Sequence, residues 1–258
     1  MRSLFVVEKG QQNDKSIVLL HASGSSSQMW AHHITELKND FHYIAVDLPG
    51  HGSSRDIGWT NFNDVTEMIA DIIKNRAHGK QHLVGLSLGG SLVLKLLEKH
   101  ADLFDRAIVD GVSHHPIKGY RKVIAGVYIM SLFKNTKIVA NLMTKMMQDD
   151  GVTEESYRRF IMDLQRASAK SFRRAMLQAN LLRITANFDN PVFFVSGGKE
   201  FETIHESHKE FARKNRLSDC AYYPNKGHAW LFSDIDTHIQ LLRYFFQDGS
   251  FPDKLKDF

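Results

Sequence analysis

Cysteine is nearly missing from this chain: Cys220 is the only one in 258 residues. One thiol excludes an intrachain disulfide and fits a reducing compartment. Long apolar runs are also missing. Nothing approaches the roughly 18 consecutive apolar residues that a bilayer-spanning helix needs. The opening MRSLFVVEKG holds only a short apolar run, too little for the core of a signal peptide, so a cytoplasmic location is expected. No internal repeat and no low-complexity tract stands out. The net charge of +4 is too modest to argue for nucleic acid as a partner, and no nucleic-acid-binding motif is visible.

What is present is the profile of an ordinary globular protein, with 43% hydrophobic and 24% charged residues. The length suits one α/β domain carrying an insertion better than two independent domains. The charge is unevenly spread. Residues 114–187 hold thirteen Lys and Arg against five Asp and Glu, and six of the nine methionines. The rest of the chain is therefore net acidic.

The flanks alternate between strand and helix patterns. Short β-rich runs occur at Ser16–Leu20, His42–Val46, Gln81–Leu86, Arg106–Asp110, Val192–Val195 and Ala221–Tyr223. Between them lie segments of helical period; in Asp64–Ala77, Val65, Met68, Ile69, Ile72 and Ile73 recur at steps of three and four. Such alternation predicts a mainly parallel sheet with helices on both faces. From His114 the strand rhythm stops. Ile124–Phe133, Ile138–Met147, Glu154–Leu164 and Ala169–Ile184 read as helices, Gly151 punctuates them, and Pro191 marks the return to a strand. The expected organisation is a core of residues 1–113 and 188–258, interrupted by a helical insertion at 114–187.

One stretch carries chemistry. The strand pattern His82–Leu86 runs into Gly85-Leu86-Ser87-Leu88-Gly89, and a helical pattern follows over Ser91–His100. A nucleophile needs its side chain lifted out of a strand, and a sharp strand-to-helix turn does this at the cost of backbone crowding. Glycines two residues to either side relieve that crowding, and the helix N-terminus offers free N–H groups to a developing anion. Other blocks accompany it: His21-Ala22-Ser23-Gly24-Ser25-Ser26 after one strand, Asp47-Leu48-Pro49-Gly50-His51-Gly52-Ser53-Ser54 after the next, and Asn225-Lys226-Gly227-His228-Ala229-Trp230 near the end.

In order and spacing these four blocks resemble the α/β-hydrolase superfamily over nearly the whole chain. The resemblance implies the α/β-hydrolase fold, a mainly parallel sheet flanked by helices, with a helical cap inserted after the strand ending at Asp110. It implies Ser87 as nucleophile and His228 as its base. A carboxylate must hold the imidazole, and two candidates stay open: Glu200, in a turn where the family usually has Asp, and Asp110, a position some members use. The oxyanion would face the backbone N–H groups of Leu88 and Ser23. Ala22 stands where the family usually has glycine, and alanine tolerates positive φ poorly. Trp30 and Trp230 are candidate substrate-pocket walls, with ordinary core as the equal alternative. The implied activity is hydrolysis of a small or medium carboxylic ester through an acyl-enzyme, with no cofactor and no metal. The same fold also serves lyases or synthases, aminopeptidases, perhydrolases and non-catalytic ligand receptors.

Other signals carry less. His205-Glu206-Ser207-His208 is one residue short of a zinc-protease motif. His32-His33 and His114-His115 are adjacent pairs, and neighbours on a helix do not face each other, so no metal-ligand spacing is expected. Asp47–Ser54 is expected to shape a turn rather than to react, and Cys220 to be inert. The basic insertion fits an anionic substrate, an acidic membrane surface or a merely solvated helix face. Its methionines read mostly as packing, some as lining of an adaptable pocket.

Overall fold

A computed structural model describes residues 3–116, 119–185 and 188–258. Eight strands form one sheet: β1 (Val6–Lys9), β2 (Ser16–Leu20), β3 (His42–Val46), β4 (Gln81–Leu86), β5 (Phe104–Asp110), β6 (Val192–Gly197), β7 (Asp219–Tyr223) and β8 (Lys256–Asp257). Their spatial order is β1-β3-β2-β4-β5-β6-β7-β8. β1 and β8 run antiparallel to their neighbours, and the six strands between them are parallel. Every residue of β2, β3, β4 and β6 is buried, as a sheet covered on both faces requires.

Side-chain alternation divides the core in two. Val18, Leu20, Ile44, Val46 and Phe194 face α2 (Phe62–Arg76), α3 (Leu88–His100) and α8 (Glu202–Lys214). Ile17, Leu19, Tyr43, Ala45 and Phe193 face the other way, towards α1 (Ala31–Leu37) and α10 (Ile235–Gln247), which follows the short α9 (Trp230–Ser233). Between β5 and β6 the chain forms α4 (Tyr120–Phe133), α5 (Lys137–Asp149), α6 (Glu154–Arg166) and α7 (Ala169–Leu181). Three of these helices begin on a capping side chain. Thr136, Thr153 and Ser168 accept from the N–H groups of Val139, Ser156 and Ser171.

The six expected strands are all present, and the sheet is an α/β-hydrolase sheet. The two antiparallel edge strands were not expected, because neither shows a buried apolar run. The helix expected to reach Ile184 ends at Leu181. The expected close of the insertion at 187 lies outside the described residues. Among the described residues, no helix is long and apolar enough to cross a membrane.

Polar contacts join α6 and α7 to the core. Ser168 N–H donates to Gly50 O at 2.8 Å, and Ser26 Oγ donates to Asp163 Oδ2 at 2.6 Å. Trp59 N–H donates to Ser171 Oγ at 3.1 Å, and its indole N–H to Gln178 Oε1 at 2.9 Å. The Trp59 ring is buried edge-on against Phe62. Trp59→Ala should therefore lower stability by about 3–5 kcal/mol. Urea unfolding followed by circular dichroism tests this; an unchanged midpoint would show that the ring does not anchor α7.

Candidate active site

β4 ends at Leu86, and α3 begins at Leu88. The one residue between them, Ser87, takes φ 56° and ψ −111°. Apart from glycine, only Ser87 and Asn225 have positive φ among the described residues. Such a backbone costs about 1–3 kcal/mol and persists only where its surroundings impose it. Here they do. Ser87 N–H donates to Asp110 O at 2.8 Å, and Ser87 O accepts from Ser91 N–H at 2.9 Å. A Cβ on Gly85 would lie 2.4 Å from Gly89 C and O, and one on Gly89 would lie 2.1 Å from Leu20 O. Only hydrogen fits at both places, so α3 can start hard against β2 and β4. Leu88 opens α3, and the first N–H groups of a helix have no partner within it.

The ends of β6 and β7 are tied together. Gly198 N–H donates to Tyr223 O, Lys199 N–H to Lys226 O, and Glu200 N–H to Gly197 O. These bonds bring the loop carrying Glu200 beside the loop carrying His228. His228 Nδ1 lies 2.6 Å from Glu200 Oε1. With a carboxylate there, Nδ1 keeps its proton, and Nε2 is the nitrogen that exchanges one with its surroundings. Glu200 is buried at 5% exposure, whereas His228 is 46% exposed. The Glu200 charge raises the imidazole pKa from 6.5 to about 9; Asp110 and Asp150 add to this and burial opposes it.

Asp110 behaves differently. It ends β5 with 1% exposure, and neither carboxyl oxygen has a hydrogen-bond partner among the described residues. Burial pushes its pKa well above the usual carboxylate range; His228 opposes the shift and Glu200 reinforces it. The Trp230 indole N–H favours the charged form but lies outside hydrogen-bonding geometry.

A cavity of about 250 Å³ joins these elements. Ser87, Leu88, Glu200 and His228 line it, with Ser91, Val112, Ser113, His115, Val123, Met176, Ala179, Asn180, Phe201 and Ile204. Several of these lining residues, among them Val123, Ala179 and Phe201, had no signal in the sequence, because helix and loop residues far apart in the chain supply them. Met176 is the insertion methionine that reaches the cavity.

Ser23 does not line this cavity. It follows β2, whose end pairs with β4 through Leu20 and Gly85, so its loop is adjacent to that of Ser87. Its hydroxyl is buried without a partner among the described residues. The doubt over Ala22 is resolved by its neighbour: Gly24, at φ 78°, takes the left-handed step. His21 steadies the loop, with Nδ1 donating to Ala22 O at 2.8 Å and Nε2 accepting from Leu48 N–H at 2.9 Å. Burial lowers its pKa to about 4, so it stays neutral. Asp47 joins two more loops by accepting from Ser27 and Ser53 N–H, both at 2.7 Å.

Two expectations need correction, those for the tryptophans and for the His114-His115 pair, whereas the reading of Cys220 as inert fits its place. Trp30 and Trp230 are fully buried in the core on the α1/α10 side of the sheet and line no part of the cavity. Both pack against the ring of His238, because their hydrophobic area fills the space beneath α10. His114 and His115 are not on a helix, and their ring centroids are 3.7 Å apart. Cys220 is half-buried in β7, where burial raises its thiol to about 11.

The family model described as "Alpha/beta hydrolase family" matches residues 17–238. A pimeloyl-[acyl-carrier protein] methyl ester esterase of Nitrosomonas europaea is 35% identical over 96 residues, 37% of this chain and 36% of that protein. A 2-succinyl-6-hydroxy-2,4-cyclohexadiene-1-carboxylate synthase of Citrobacter koseri is 32% identical over 102 residues, 40% of each chain. The chain thus matches only about a third to two fifths of the length of these curated relatives. The solved esterase EaEST from Exiguobacterium antarcticum superposes with a TM-score of 0.82 at 16% identity, over 95% of this chain and 96% of that one, a likeness of fold.

The charge pairing sets a titration. Glu200 favours the protonated ring, so His228 should keep its proton above pH 6.5, and Glu200→Gln should lower its pKa by about one to three units. Imidazole resonances followed by NMR, assigned with His228→Gln, measure this. A wild-type value at or below 6.5 would contradict the pairing.

Proposed function

The chain belongs to the alpha/beta hydrolase family, and we propose that it is a serine hydrolase of small or medium carboxylic esters, with Ser87 as nucleophile. One observation carries the reading: Ser87, strained at φ 56°, shares a cavity with His228, which is held by Glu200 at 2.6 Å. In this mechanism Ser87 Oγ attacks the ester carbonyl, and its proton passes to His228 Nε2. The anion forms against the N–H groups of Leu88 and Ser23. His228 then protonates the departing alcohol, and water repeats the sequence to free the acid.

Glu200 is the proposed triad acid. An acid in that place must stay ionised while the imidazole is charged, and burial makes Asp110 resist ionising. Residues 114–187 act as the cap over the cavity. The proposal includes a cytoplasmic location and a small-molecule substrate.

A second reading keeps the fold and changes the reaction to a synthase, following the relative from Citrobacter koseri. A product named as a carboxylate calls for a cation in the pocket wall. Among the described lining residues there is no Lys or Arg, the cationic ring of His228 is already bonded to Glu200, and most of the wall is apolar. That favours an uncharged ester.

Ser87→Ala should abolish fluorophosphonate labelling and lower p-nitrophenyl acetate turnover by on the order of 10⁶-fold. Glu200→Gln should cost far more than Asp110→Asn in the same assay. Absence of labelling in the folded wild type would end the hydrolase reading. A collapse confined to Asp110→Asn would move the acid to Asp110.

A further inference from the structure

Beyond the cavity of Ser87, the segment between β5 and α4 brings His114 and His115 against α8. His114 Nε2 lies 3.1 Å from Glu210 Oε2, and His115 Nε2 lies 3.7 Å from the same oxygen. The three ligand atoms all fall within 4.8 Å of one another. We propose that His114, His115 and Glu210 form a binding site for a divalent transition-metal ion, zinc by chemical class, beside the Ser87 cavity, whose wall His115 shares, and with no ligand from Ser87, Glu200 or His228.

Several observations support this site. Two ligands about 2.1 Å from a tetrahedral zinc stand about 3.4 Å apart, and the two nitrogen-to-oxygen separations bracket that value. His114 is 5% exposed, and neither ring nitrogen has a partner with hydrogen-bond geometry among the described residues. A buried imidazole with unused nitrogens facing a carboxylate is costly as it stands, and a cation between the two groups removes that cost.

Glu210 has a free oxygen for the ion. Lys214 Nζ holds Oε1 at 2.7 Å, which keeps the carboxylate ionised and leaves Oε2 towards the histidines. A cavity of about 300 Å³ beside the three residues has room for water as a fourth ligand. Two imidazoles and one carboxylate with an open position suit zinc, cobalt, nickel or copper better than magnesium or calcium. The ion would tie the start of the inserted segment to α8 of the core. The site stands whether or not Ser87 proves to be a nucleophile.

The test uses the untagged full chain, stripped with a chelator. Zinc is added in a calorimeter, and cobalt is followed by its visible absorption. One equivalent should bind with micromolar or tighter affinity, cobalt should give tetrahedral bands, and zinc should raise the thermal midpoint. His115→Ala removes an exposed ring, and Glu210→Gln keeps a partner for Lys214, so both should fold, as circular dichroism would verify. Each should weaken zinc at least tenfold, whereas His228→Ala should leave the affinity unchanged. Lack of a stoichiometric site, or an affinity untouched by both His115→Ala and Glu210→Gln, would overturn the proposal. So would loss of binding in His228→Ala, because the metal would then belong to the catalytic cavity.

Discussion

The contact between Gly89 and Leu20 O is the constraint on which the rest of this molecule depends. A methyl group at Gly89 would sit 2.1 Å from that carbonyl, and α3 would have to lift away from the sheet. Its lifting would release Ser87 from φ 56°, since the bonds to Asp110 O and from Ser91 N–H both need α3 seated where it is. The strain at Ser87 is thus held by packing. α3 is buried along most of its length, and its apolar contacts outweigh the few kcal/mol stored at one residue. The helix also has to start at the C-terminal edge of the sheet, where the loops after β2, β5, β6 and β7 converge. Function at that edge follows from the topology of an open parallel sheet.

Two carboxyl groups stand near one imidazole, and their surroundings set them apart. Glu200 reaches Nδ1 from a loop and makes a direct bond to it. Asp110 is sealed at the end of β5 without a partner. If both were ionised, their mutual repulsion would add to the cost of burying Asp110. Burial pushes Asp110 towards its neutral form, which leaves Glu200 as the carboxylate bonded to His228. The extra methylene of Glu relative to Asp is accommodated because Lys199 and Glu200 are bonded back to Lys226 and Gly197, which sets the carboxyl at the right reach.

The sequence made the central strands legible because parallel strands buried on both faces read as continuous apolar runs, as in Ser16–Leu20 and His42–Val46. The turns that carry Ser87 and His228 were legible because their glycine-bearing patterns are local. The edge strands β1 and β8 were not, since only two apolar residues of the short run Leu4–Val7 fall within β1 and β8 is two exposed charged residues. The two tryptophans misled because proximity in sequence to His228 or to Ser23 says nothing of which face of the sheet a side chain enters. The choice between Glu200 and Asp110 was open in the sequence because it rests on burial and reach. The approach of Glu210 to His114 was invisible, with nearly a hundred residues between them in the chain.

The inserted helices touch both the cavity and a neighbouring loop. Val123 of α4 and Met176, Ala179 and Asn180 of α7 supply part of its wall. The same insertion braces the loop that carries Ser23. A Cβ at Gly24 would meet Leu164 of α6 at 2.9 Å and Phe172 of α7 at 3.4 Å, and Ser26 is bonded to Asp163 of α6. Substrate shape and the proposed anion site are therefore coupled through α6 and α7. A change that widens the pocket by shifting α7 also loosens the packing behind Ser23, and it does so without touching β4 or Ser87. Because α4 packs on α7, a change in α4 reaches that loop only through α7, the helix that touches both the pocket and Gly24.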